Sequence, residues 1–118
     1  MNDLERLMIY KQFLELIYYT ENIVLKYPKI EKLSLVTSIK NQTYLGMRKV
    51  IMAYKEYNKE KRVLILRDLD VDLKMIKVFV RLSYKKKYIN RNNYYAWSKK
   101  ITNITNMLGG WIKSCVRQ

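Results

Sequence analysis

The sequence predicts an all-α protein, an antiparallel up-down-up-down four-helix bundle forming one domain over residues 1–118, and three observations predict it. Glycine and proline are scarce, three and one in 118 residues, whereas a β-sandwich or barrel needs turn residues about every ten positions. Apolar residues make up 49% of the chain, enough for one continuous core, and the length suits one domain. Apolar positions also recur at spacings of three and four over long stretches, the period of a helix with one buried face.

The first helix is expected over about residues 3–26. Leu4, Leu7, Met8, Leu14, Ile17, Tyr18, Val24 and Leu25 read as its buried face, interrupted by Lys11 and Glu21. Pro28 ends it, because the residue before a proline avoids the α region. The second periodic stretch runs through Val36, Ile39, Thr43, Gly46, Val50, Ala53 and Tyr57. Its small central residues predict that another helix packs closely there. Asn58 is placed to cap the third helix and Asn90 the fourth. In the third helix Leu66, Leu69, Leu73, Ile76 and Val80 follow a strict 3-4 repeat. In the fourth, Tyr94, Trp97, Ile101, Ile104, Leu108, Trp111 and Cys115 do the same. Such a repeat is the seam that antiparallel bundles bury.

Two further expectations concern packing. The fourth helix should run through Gly109-Gly110 with a neighbouring backbone or ring packed closely on the pair, since Trp111 and Ile112 continue the apolar pattern beyond it. Helices one to three also carry apolar residues off the seam: Ile9, Phe13 and Leu16, then Met47, Ile51 and Tyr54, then Val78, Phe79 and Leu82. A lone bundle with a narrow core would expose some of these, so a ring-like homo-oligomer is expected.

Charge bears most on function. The chain has 24 Lys and Arg against 10 Asp and Glu, a formal net charge of +14. Asp72 is its last acidic residue, and every charged side chain from Lys74 onward is Lys or Arg. Such a surface attracts polyanions. Nucleic acid is the first reading, an acidic protein the second and a membrane surface the last. Cys115 is the only cysteine, so no intramolecular disulfide is possible, which fits a reducing cytoplasm. Asp3 and Glu5 stand where a secretory signal would be basic, and no run of 18 apolar residues occurs. A soluble, cytoplasmic protein is expected.

The residues for catalysis are missing. Histidine is absent, and with it the commonest general base and metal ligand. Asp68-Leu-Asp70-Val-Asp72 has the spacing that opens a calcium loop, but Leu73 stands where that loop needs Gly, and Phe79 where it needs Glu. On a helix Asp70 points away from Asp68 and Asp72 and pairs instead with Lys74. Cys115 reads as a small seam residue, and no phosphate-cradling Gly-rich loop occurs. The expectation is a non-enzyme with no metal, cofactor or small-molecule substrate.

A polyanion site is better supported. Lys74, Lys77, Arg81 and Lys85 are spaced 3, 4 and 4, forming one stripe beside the seam of the third helix. It continues through Lys86, Lys87 and Arg91 in the connecting loop, with Lys99 and Lys100 on helix four and Lys40, Arg48, Lys55 and Lys59 assigned to helix two. Tyr44, Tyr54, Tyr57, Tyr84, Tyr88, Tyr94 and Tyr95 lie among these cations. Cation rows with interleaved aromatics suit phosphate contact and base stacking. The competing reading is a solvated basic face with tyrosines half in the core. No motif for sequence-specific reading occurs.

The segments Leu73-Lys-Met-Ile-Lys-Val-Phe-Val-Arg-Leu82 and Ile104-Thr-Asn-Met-Leu-Gly-Gly-Trp-Ile-Lys113, joined by the basic loop, resemble the accessory variability determinant of diversity-generating retroelements. The ribosomal RNA intervening-sequence proteins are similar four-helix relatives. The motif resemblance covers about the last 45 residues, Leu-Gly-Gly-Trp-Ile being its most specific piece. It implies a bundle that assembles into a pentamer, binds RNA or DNA, and serves a reverse transcriptase as a non-catalytic partner. It also implies binding roles for Lys77 and Arg81. Two alternatives stay open: an intervening-sequence-type bundle protein, and a basic oligomeric scaffold that docks an acidic protein.

Overall fold

A computed structural model describes residues 4 and 7–116. Its helices are α1 (Met8–Ile23), α2 (Leu35–Lys55), α3 (Lys59–Lys85) and α4 (Arg91–Val116), with no strand among the described residues. Both expected asparagine caps form: Asn58 Oδ1 accepts from the Lys61 amide at 2.9 Å, and Asn90 Oδ1 from the Asn93 amide at 2.8 Å. Each satisfies an amide that a helix start leaves without a partner.

The connections are short and locally determined. After Ile23 the chain tightens into a 3₁₀ turn, Val24–Lys26, and Tyr27 is extended before Pro28. A second 3₁₀ turn, Lys29–Glu31, leads towards α2. Between α2 and α3, Arg62 donates through Nε to the Ala53 carbonyl at 2.9 Å and through its guanidinium to the Glu56 carbonyl. The end of α3 is a Schellman motif: the Tyr88 amide donates to the Ser83 carbonyl at 3.0 Å and the Lys87 amide to the Tyr84 carbonyl at 2.9 Å. Lys87 takes the left-handed position of that motif, φ 65°, usually filled by Gly.

Each helix packs on the next in sequence and α1 closes against α4, the up-down-up-down order, in a body 48 × 23 × 23 Å. The α3 seam is buried throughout, as are Trp97, Ile101, Ile104, Leu108 and Cys115 of α4, with Tyr94 and Trp111 half-buried. Val36 to Ala53 of the α2 pattern is buried, but α2 stops at Lys55 and Tyr57 stands in solvent.

In α1 the buried face differs from the expected one. Ile9, Phe13, Leu16, Thr20 and Val24 form it, whereas Met8, Tyr18 and Leu25 are exposed and Leu14 and Ile17 half-buried. Residues 3, 5 and 6 of the expected helix lie outside the described residues. The helix is apolar on so much of its circumference that periodicity allows two faces, and its neighbours choose between them. Phe13 lies on the glycine of α2: a Cβ at Gly46 would stand 2.3 Å from its ring tip. Thr20 Oγ1 accepts from the buried Trp97 indole at 3.2 Å. Ile9, Phe13 and Leu16 are therefore core, and they no longer argue for association. The expectation at Gly109-Gly110 holds only in part: α4 runs through the pair, but nothing lies within 4 Å of a Cβ at either position.

A candidate nucleic-acid interface on α3 and α4

The 100° step per residue sets Lys77 and Arg81 beside the buried Ile76 and Val80, on the flank of α3 that turns towards α4. The antiparallel crossing brings the first two turns of α4 opposite them. Tyr84 and Tyr94 stack across the helices, centroids 4.5 Å apart and planes 2° from parallel. Next to this stack, Lys77, Val78 and Arg81 of α3 and Tyr94 and Ser98 of α4 line a groove of about 390 Å³. Arg81 is exposed and Lys77 half-buried, so Lys77 lays its stem on the groove wall.

Ser98 also borders a second depression on the outer side of α4. Asn92, Tyr95, Ala96, Lys99 and Thr102 complete its lining, and it is a shallow, open depression of about 590 Å³. Tyr95 is exposed, and the Arg91 guanidinium lies 5.7 Å from its ring centroid, within cation–π range. All four charged residues at these two depressions, Lys77, Arg81, Arg91 and Lys99, are cationic, and α4 contains no acidic residue.

The remaining basic candidates are placed differently. Lys74 Nζ bonds Asp70 Oδ1 at 2.8 Å, the expected i,i+4 pair. Lys85 is exposed as the last residue of α3 and Arg91 is the first of α4, so neither belongs to the loop. Lys87 is exposed in the Schellman turn. Lys86 reaches Glu31 Oε2 at 3.2 Å and lies 6.0 Å from the Tyr88 ring centroid. Glu31 is a buried hub that also accepts from Tyr88 Oη at 2.7 Å and Ser34 Oγ at 2.9 Å. The Tyr88 and Ser34 bonds, then Lys86, hold the Glu31 carboxyl down at about 2, and Glu31 in turn pushes Tyr88 up. Lys86 thus links the α3–α4 loop to the α1–α2 connection through Glu31.

Elsewhere Lys100 lies 5.3 Å from the Tyr19 ring centroid of α1, Lys40 pairs with Glu21 at 3.7 Å, and Lys59 opens α3 rather than extending α2. The aspartates do not converge. Asp72 is buried between α2 and α3, accepting from Lys49 Nζ at 2.5 Å and Gln42 Nε2 at 2.8 Å, while Asp70 faces Lys74. Among the described residues no group of three or more His, Cys, Asp or Glu could hold a metal ion. No described helix is long and apolar enough to cross a membrane.

Ser98 was not among the residues the sequence pointed to, and Val78 was, as an off-seam apolar residue that argued for association. The available signal for Ser98 was its position one turn after Tyr94 and beside Trp97. A further surface lies across α3 from its core: Val71, Met75, Val78 and Leu82, spaced 4, 3 and 4, are all exposed, with Leu64 exposed one heptad before Val71.

A search of curated proteins finds no match for the chain. The bAvd-like family model matches residues 7–115, a span that takes in all four helices but for the last residue of α4, and it agrees with the resemblance carried by α3 and Leu-Gly-Gly-Trp-Ile. The chain is a member of the bAvd-like family.

Proposed function

We propose that this protein is a nucleic-acid-binding, non-catalytic accessory subunit of a diversity-generating retroelement, acting with its reverse transcriptase and the RNA or complementary DNA that the enzyme handles. Family membership supports the accessory role. The observation that carries nucleic-acid binding is the all-cationic surface around the α3–α4 groove, where Lys77, Arg81, Arg91 and Lys99 surround Tyr94 and Tyr95. Cations that are not neutralised by neighbouring carboxylates are free to displace counterions from phosphates, and the tyrosines offer faces to bases. The exposed Val71, Met75 and Leu82 of α3 support self-association. A homo-oligomer, a pentamer by the family resemblance, would repeat the basic surface and add avidity.

The test is a titration of the full chain with labelled RNA and DNA at two salt concentrations. Binding should be tolerant of sequence, with log K falling against log salt at about −0.9 per phosphate on duplex and about −0.7 on single strands. Lys77→Glu with Arg81→Glu should weaken binding to all sequences alike and leave helicity unchanged, since both residues lie off the core. If this double variant binds as tightly as the wild type, the groove is not the site. Negligible affinity of the wild type at physiological salt, with capture of an acidic protein, would favour the scaffold reading.

A further inference from the structure

The two depressions that meet at Ser98 differ in character, and their pairing has a consequence for the form of nucleic acid bound. The first runs between helices and carries Lys77 and Arg81 on its α3 wall. The second lies on α4 alone, is lined mostly by apolar surface, and is rimmed by the exposed Tyr95 ring with Lys99 one turn further on. The phosphate and the base of one nucleotide, joined through its sugar, make the same two demands side by side: a cationic seat and a flat, apolar, aromatic one. In a duplex the faces of the base are already stacked on its neighbours, so the protein meets phosphates and base edges but no free face. In a single strand the base can turn out and lie on a ring.

We propose that this surface is a single-strand subsite, with Lys77 and Arg81 holding a backbone phosphate in the inter-helix groove and Tyr95 stacking the neighbouring base in the α4 depression. Charge complementarity fits this occupant, because the two linings contain cations and no carboxylate. Ser98, shared by both depressions, sits where a sugar would bridge them and offers a hydroxyl to it. Arg91, 5.7 Å from the Tyr95 centroid, keeps the ring in a cationic setting and adds a second phosphate contact along the strand. Base identity is not read, since every base has a face to stack. The proposal rests on the nucleic-acid reading above and narrows it to unpaired strands.

The experiment compares wild type, Tyr95→Ala, Tyr95→Phe and the Lys77→Glu, Arg81→Glu double variant by fluorescence anisotropy. The ligands are a labelled oligo(dT) of about 16 nucleotides, an oligo(rU) of the same length, and a duplex of that length. Tyr95→Ala should weaken both single strands about 5-fold to 150-fold, the range of one lost base–aromatic stack, and leave duplex affinity and the salt slope unchanged. Tyr95→Phe should bind as the wild type, because the ring is retained. The double variant should weaken all three ligands. The proposal is overturned if Tyr95→Ala binds single strands as well as the wild type does, or loses duplex and single strand equally. If in that case the double variant still weakens every ligand, the nucleic-acid reading stands and the single-strand subsite falls. If the wild type binds none of the ligands at moderate salt, both fall.

Discussion

The three glycines predict opposite responses to the same substitution, and the structure supplies the reason for each. Ala is favoured over Gly inside a helix by about 1 kcal/mol. At Gly109 and Gly110 nothing stands within 4 Å of the added methyl, so that gain should appear almost in full. At Gly46 the methyl would stand 2.3 Å from Phe13 Cζ and 3.1 Å from Cε1. Phe13 is fully buried, so its ring cannot move aside without disturbing the core. Overpacking of this kind costs about 1–3 kcal/mol. With the contact this short the upper end applies, and the net effect of Gly46→Ala is a loss of about 1–2 kcal/mol. Thermal melts followed by circular dichroism should therefore show Gly46→Ala melting several degrees below wild type. Gly109→Ala should melt about 3–5 °C above it, given the usual relation of stability to Tm at this chain length. Replacing Phe13 by Leu in the Gly46→Ala background should remove the clash and lessen the further loss expected from truncating Phe13. If Gly46→Ala stabilises the protein, the close contact between α1 and α2 is wrong, and with it the choice of buried face on α1. If Gly110→Ala lowers the melting temperature of the assembled protein but not of the dilute chain, another copy packs on the glycine pair.

Three further outcomes are expected. Lys87→Gly relieves a left-handed residue with a Cβ in the α3 Schellman turn and should raise stability by about 0.5–1 kcal/mol in urea denaturation; a decrease would mean that Lys87 makes a stabilising contact. Asp72→Ala strands the half-buried Lys49 and removes Gln42's partner, so it should cost about 2 kcal/mol, whereas Asp72→Leu with Lys49→Met should recover most of that loss. Glu31 has its folded pKa depressed from 4.5 to about 2 by Tyr88, Ser34 and Lys86. Its contribution is complete above the ordinary carboxylate value and fades as pH falls from about 4.5 to about 2. Denaturation of wild type at pH 7 and pH 3 should show this loss, and Glu31→Gln should reduce the difference between the two pH values; an unchanged difference would refute the hub's role.

Much of the architecture is local and legible in the sequence. The caps at Asn58 and Asn90, the break at Pro28 and the seams of α3 and α4 each depend on residues within a few positions of one another. So does the Asp70–Lys74 pair. The basic bias after Asp72 is a property of composition, and no folding could alter it. Lys77 and Arg81 were legible as a pair because one turn of helix always sets such residues on one side.

What the sequence alone could not decide were matters of contact between segments far apart in the chain. Which face of α1 is buried depends on Gly46 and Trp97, 33 and 77 positions from Phe13 and Thr20 respectively. Lys86 and Lys77 are both lysines next to a helix end or seam, yet one closes on Glu31, 55 residues away, and the other opens onto a groove. Ser98 lines the groove only because antiparallel packing lays the start of α4 against the end of α3. Periodicity states which residues share a side of a helix, and it carries no information about what that side meets. The neighbour supplies the steric fit, the hydrogen-bond partner or the counter-charge, and through them it determines whether a side chain serves the fold or stays free for a ligand.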